Sequence, residues 1–464
     1  MKTQEKVTQG VKHLLGDPKK AMLKLSIPMV IGMLAQALYN IVDGIWVAGL
    51  GADALAAVGL FFPFFMIIMA VSIGIGIGGS SAISRRIGQR NKEAADNTAN
   101  HTIILGILIG LVLSLSFLPF IEKIFFLMGV KGSVAQMSSN YARVLFGGAI
   151  FIFFSNIASA ILRGEGDTKR AMYAMLLGTG LNMILDPIYI YTFNMGVVGA
   201  AWATLTSIAV SAILLFYWLF VKSDTYVKIR LKKFHLNKGI IKEIFNVGIP
   251  ASLAQLSMSI SMLLLNVVVI KAGGTDGVAV FTSGWRIVML GIIPLLGIAT
   301  GVTAVTGAAY GARNPEKLNI AYVYAIKIGI LAELAVASMI ALFAPQVAFI
   351  FTYSKGAAYI ADDLVIFLRW MVLLCLTVPL GMLSSAMFQG VGRGKTALFV
   401  TILRTIILQV PVAYIFGISF GFGLAGVWFG MVAGNAIAAS IALILGILFV
   451  KSFSKAKKSL KKKF

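Results

Sequence analysis

The chain is poor in the residues that most chemistry requires. Its 464 residues include one cysteine, three histidines and only 17 acidic side chains, and charged residues of both signs make up 12%. An average soluble chain carries about 25%, so this one cannot cover a water-facing globule. The lone Cys375 excludes a disulfide within the chain and a cysteine-based metal site. His13, His101 and His235 lie far apart in sequence without ligand spacing, and read as ordinary helix-end or loop residues. Asp362-Asp363 is the only adjacent acidic pair. A prenyl-transferase-type enzyme, which needs acidic clusters to hold diphosphate through metal ions, is therefore disfavoured. The run from Gly74 to Gly79 mimics a phosphate loop, but it sits inside an apolar stretch with no strand before it. No resident cofactor is expected, and the chain does not read as an enzyme.

What is abundant is apolar: 59% of the residues are hydrophobic. Twelve runs are long enough to cross a hydrocarbon core of about 30 Å. They lie near 24–48, 54–84, 97–119, 137–162, 168–192, 197–221, 243–270, 277–307, 318–344, 362–388, 395–417 and 424–450. The fold class expected is all-α integral membrane, with twelve transmembrane helices in two six-helix lobes. The net charge of +23 does not indicate nucleic acid, because the charges are segregated. Of the 40 Lys and Arg residues, 31 fall on the termini and even-to-odd loops and 4 on the opposite side. The positive-inside rule then places both termini in the cytoplasm, and the cell (plasma) membrane is the expected location. The basic stretch 222–242 and the C-terminal tail can also touch anionic lipid.

The halves repeat each other at an almost constant offset. Pro28 meets Pro250, GQRNKEA at Gly88 meets GARNPEK at Gly311, RGEGDTK at Arg163 meets QGVGRGK at Gln389, and Pro187 meets Pro411. The expected division is an N-terminal lobe 1–221, a linker 222–242 and a C-terminal lobe 243–464. A pseudo-twofold axis along the membrane normal would relate two halves of equal orientation.

Three acids fall well inside spans, where a charge is costly and marks a functional candidate: Asp43, Asp186 and Glu333. Gln36, Tyr39, Asn40 and Asp43 share one helical face, and so do Thr179, Asn182 and Asp186. The repeat does not keep these acids: Asn266 stands opposite Asp43, and no acid stands around Pro411. Glu333 shares its half with Arg286, Lys327, Arg369 and Arg404, so a structural ion pair is expected there.

ILRGEGDTKRAM from Ile161 to Met172, then LNMILDPIYI and GVVGAAWAT, resemble the multidrug and toxic compound extrusion (MATE) family. LGDPKKAMLKLSIPM and LYNIVDGIWVAGLGADALAAVG resemble its opening helix and first loop, and the likeness spans essentially the whole chain. The resemblance implies export of organic, often cationic, compounds driven by inward flow of H+ or Na+. It implies ion coupling in the N-terminal lobe at Asp43, Asn182, Asp186 and Thr204, with any Na+ held by the same four. It implies helix bending at Pro28, and a cavity lined by Gln36, Tyr39, Asn40, Asn156 and Met175, with Tyr141 near the acid pair. The partners expected are a small organic substrate and membrane lipid, without nucleic acid, for a monomer. The nearest rival is a lipid-linked oligosaccharide flippase of the same superfamily, which would line its cavity with cations such as Arg286, Arg369 and Arg404.

Overall fold

The computed structural model describes residues 7–230, 234–353 and 358–462. Among these residues every regular element is helical. Backbone polar groups in a bilayer core must be satisfied within the segment itself, which helices achieve and open strands do not. The spanning helices are named here in order. They are α1 (Pro18–Ala48), α2 (Ala52–Gly88), α3 (Lys92–Phe117), α4 (Gly132–Gly147 and Ala149–Gly164, bent by 49°), α5 (Thr168–Pro187) and α6 (Gly196–Phe216). In the second half they are α7 (238–272), α8 (275–311), α9 (Pro315–Thr352), α10 (Ala361–Gly390), α11 (from Gly394) and α12 (Gly423–Lys462).

Helices α7 and α8 follow one another without a loop, over 74 residues. A straight helix of that length would run about 110 Å, several times the thickness of a bilayer core. The chain breaks at Gly273 and at Gly274, whose φ of 63° suits a residue without a Cβ. Two spans result, and the described residues hold the twelve membrane helices read from the sequence. Leu38, Ile45, Leu263 and Leu342 are among many exposed large apolar side chains, as a lipid-facing surface requires.

The internal repeat reaches the backbone. Arg90 and Arg313 both adopt positive φ (57° and 50°) after their helices. The next residues, Asn91 and Asn314, cap α3 and α9, accepting from Ala94 N–H at 3.0 Å and Lys317 N–H at 3.1 Å. Gly166 and Gly392 share φ near 85° (86° and 84°). Pro187 is followed by a π-helical turn at Ile188–Thr192, and Pro411 by one at Ile415–Ser419.

Chain contacts divide the molecule into two units that differ from the division expected at 221 and 243. The first gathers the chain up to Gly16 with Ile31–Ser252, and the second gathers Asp17–Val30 with Leu253 onward. The cause is close helix contact at small residues four apart. In the first unit, a Cβ added to Gly78 would lie 2.3 Å from the Ile244 carbonyl oxygen, and one on Gly74 would lie 2.7 Å from that of Gly248. In the second, Gly297 and Gly301 admit Val30 and Ser26 in the same way.

The segment expected to be a plain basic linker is fastened to the first unit. Its backbone N–H groups are capped by side chains. Val227 donates to Glu165 at 2.8 Å, Lys228 to Asp96 at 2.9 Å, Arg230 to Asn100 at 3.0 Å and Asn237 to His101 Nε2 at 2.9 Å. His101 is therefore not the ordinary helix-end residue expected. It is buried within α3, its Nδ1 donating to the Asn97 carbonyl oxygen at 2.8 Å. With one ring nitrogen donating and the other accepting, the imidazole is neutral in this arrangement.

Burial pushes the Glu165 carboxyl up to about 8. The folded state then holds a proton that the unfolded chain releases near its ordinary value. Stability from this group is largest at low pH and declines as pH rises through about 8. Proteolysis at the 228–230 segment should accelerate between about pH 5 and pH 8 relative to a Glu165→Gln protein, which should show no such step. Parallel pH profiles for the two proteins would contradict this account of the strap.

Candidate functional site

The first unit brings six of the expected residues into one cluster. Tyr39 and Asp43 stand one turn apart on α1. Asn182 and Asp186 do the same on α5, where both are buried. Asn182 Nδ2 donates to Asp186 Oδ1 at 3.4 Å. The Asp43 carboxyl stands beside that of Asp186. The Tyr39 hydroxyl lies close to Thr204 on α6, and Tyr39 and Tyr141 both lie near the two acids. Tyr141 is held by an edge contact with Phe61, ring centroids 5.4 Å apart. Directly after Asp186, Pro187 lacks an N–H and α5 widens into the π-helical turn, a feature frequent at functional sites.

Asp43 Oδ1, Asp186 Oδ2 and Asn182 Oδ1 are buried atoms without a hydrogen-bond partner among the described residues. Two adjacent buried carboxyl groups do not readily stay ionised together without a positive charge or a proton nearby. The cluster is thus a set of hard oxygen acceptors short of donors, suited to a proton or a small hard cation. Among the described residues no group of three or more His, Cys, Asp or Glu side chains is placed to hold a metal ion.

The other expected residues lie outside this contact set. Met175 packs against α1 at Gly32, where an added Cβ would lie 3.3 Å from its sulfur. Asn156 turns to α2 and donates to Ser72 Oγ at 3.0 Å. Gln36 is half-buried and Asn40 exposed. Thr179 bonds back to the Met175 carbonyl oxygen at 2.9 Å. Pro28 lies within the continuous helix α1, fifteen residues before Asp43, and belongs to the second unit.

The ion pair expected for Glu333 is not formed. Glu333 is fully buried beside the Cys375 thiol, and neither carboxyl oxygen has a hydrogen-bond partner among the described residues. Arg286, Lys327 and Arg369 are exposed, their charged ends free to reach solvent or headgroups. Arg404 turns to Asn435 instead. Breaking a buried pair is strongly destabilising, at about 3–5 kcal/mol, but here no pair exists to break. A Glu333→Gln protein should therefore unfold at nearly the wild-type temperature and retain driven export. A fall of ten degrees or more in Tm would restore the ion pair.

Twelve spanning helices in two repeated halves, one with a buried acid cluster, define a polytopic membrane transporter rather than an enzyme. The MatE family model matches residues 28–188 and again 250–415, once in each half. The chain is 30% identical over 428 residues to the multidrug export protein MepA of Staphylococcus aureus (strain MRSA252), covering 92% of this chain and 93% of that one. A crystal structure of MATE in complex with MaL6 superposes with a TM-score of 0.95 at 55% identity, covering 97% of this chain and 100% of that chain. An outward-facing multidrug resistance MATE transporter of the MOP superfamily gives the same TM-score at 56% identity, with coverage of 97% and 100%. The chain belongs to the MATE family of multi-pass membrane transporters.

Proposed function

We propose that this transporter is a secondary antiporter in the cell membrane, exporting organic cationic or amphipathic compounds in exchange for protons. The observation that carries the reading is the closeness of the Asp43 and Asp186 carboxyl groups, whose buried oxygens Asp43 Oδ1 and Asp186 Oδ2 have no hydrogen-bond partner among the described residues, because two adjacent buried acids favour sharing a proton. Taking up that proton removes the negative charge that would hold a cationic substrate. Asn182, Thr204 and Tyr39 adjust their hydrogen bonds as the pair changes charge. Pro28 interrupts the hydrogen-bond ladder of α1 and provides a place where the helix can bend, which shrinks the cavity and releases the substrate outward. Gln36, Asn40, Asn156 and Met175 line the path in this reading. Both termini are cytoplasmic, as the segregation of Lys and Arg supports, and the working form is a monomer. Sodium is the competing ion for the same oxygens.

The test is efflux from proteoliposomes under separately imposed pH and sodium gradients. Export driven by the pH gradient at zero sodium supports proton coupling. Export that needs sodium and ignores the pH gradient transfers the site to Na+.

A further inference from the structure

A cation deep in a membrane helix is expensive unless it is paired. Arg404 is such a cation. It lies about ten residues, or about 15 Å, into the 26-residue apolar span Gly394–Ser419, near the bilayer midplane. A guanidinium has five N–H donors. Among the described residues its one polar partner is neutral, the Asn435 Oδ1 atom at 3.5 Å from Nη1. Glu333, the buried acid of the same unit, makes no ion pair with it.

The surroundings keep this charge inside the second unit. Asn435 on α12 is buried and is itself held by Nδ2 donating to Thr377 Oγ1 of α10 at 2.6 Å. On the other flank, the absent side chain of Gly381 makes room. A Cβ there would lie 2.9 Å from Arg404 Cδ and 3.5 Å from Nε. The arginine is the second residue of a π-helical segment, Leu403–Leu408. In the repeat, the offset of 224 that relates Pro187 to Pro411 places Gly180 opposite Arg404. A Cβ on Gly180 would meet nothing within 4 Å. The position therefore faces open space in the first unit and carries a cation in the second.

We propose that Arg404, steadied by Asn435, is the anchor of an anion-binding site in the second unit that takes a carboxylate, phosphate or sulfate group. The planar fork suits bidentate capture of an oxyanion. The group arrives either on a membrane-soluble amphiphile, such as a lipid, or as a free anion. The site goes beyond the proton coupling proposed above and does not depend on it.

Isothermal titration of the purified full-length protein in uncharged detergent, at fixed pH and without a gradient, tests the site. The probes are dodecyl phosphate, inorganic phosphate and dodecyltrimethylammonium. Wild type should bind dodecyl phosphate, Arg404→Gln should bind it at least about tenfold more weakly, and Arg404→Lys should fall between them. The trimethylammonium probe should not distinguish the three proteins. Binding of inorganic phosphate that Arg404→Gln loses assigns a soluble anion, whereas binding of dodecyl phosphate alone assigns an amphiphile. Arg404→Lys keeps the charge and serves if the glutamine variant does not assemble, with weaker binding of dodecyl phosphate again expected. Equal affinity of wild type and both variants for dodecyl phosphate, or no binding of either anion by wild type, would overturn the proposal.

Discussion

Asp43→Asn is expected to abolish gradient-driven export, a loss of tenfold or more, in a protein that still folds. Asparagine keeps the shape and hydrogen-bonding capacity of the side chain but cannot take up the proton. Asp186→Asn should have the same effect, since the two carboxyl groups stand side by side and act as one acceptor. The double variant should then be little worse than either single one, because paired residues do not contribute additively. Asn266→Asp, the matching change in the second half, should rescue neither. Asn266 Nδ2 bonds back to the Met262 carbonyl oxygen at 2.9 Å, and no acid stands around Pro411 to complete a pair. Efflux assays on proteoliposomes, with assembly checked by size-exclusion chromatography, decide the matter. Full driven export by well-folded Asp43→Asn moves the coupling site elsewhere.

The second large effect concerns assembly. Gly199→Val and Gly426→Val should each lower stability by about 3 kcal/mol or more, at the upper end of the range for overpacking. A Cβ on Gly199 would lie 2.6 Å from the Tyr189 carbonyl oxygen, and one on Gly426 would lie 2.5 Å from that of Phe416. The obstructing atoms are backbone, which cannot move aside as a flexible side chain can. The two contacts are equivalent in the repeat, so the two losses should match. Gly44→Ala is the control. Its new Cβ would meet nothing within 4 Å, and alanine favours a helix over glycine by about 1 kcal/mol. Thermal unfolding in detergent should show the two valine variants falling together while Gly44→Ala holds. Tolerance of valine at both positions would mean the close helix approach is not needed.

The spans were legible because bilayer thickness sets a length that twenty apolar residues satisfy regardless of tertiary detail. The duplication was legible because turn chemistry is local: an asparagine cap after a positive-φ arginine recurs wherever the motif recurs. Asp43 and Asp186 announced themselves as acids at depths where solvation is lost. The closeness of Tyr39 to Thr204 was less visible, since a tyrosine and a threonine draw no notice in a membrane helix. That Asn156 bonds to Ser72 of α2 was not legible, because one-dimensional spacing does not say which neighbouring helix a polar face meets. The exchange of 17–30 and 238–252 between the units depends on glycine contacts far apart in sequence. The strap over the first unit was missed for a similar reason. Asp96, Asn100 and His101 are three polar residues on α3 that cap the amides of Lys228, Arg230 and Asn237, more than a hundred residues away. A mid-sequence polar run of that kind, ahead of an otherwise apolar helix, was the available signal.

The central claim is that the acid pair exchanges a proton for substrate. It is tested most directly by counting protons. Purified protein in weakly buffered detergent solution, titrated with a cationic substrate in the presence of a pH indicator, should release protons as the substrate binds. The release should vanish in the Asp43→Asn/Asp186→Asn protein, where no carboxyl remains to give one up. Equal release by that variant, or tight binding to wild type with no proton released, would contradict the account.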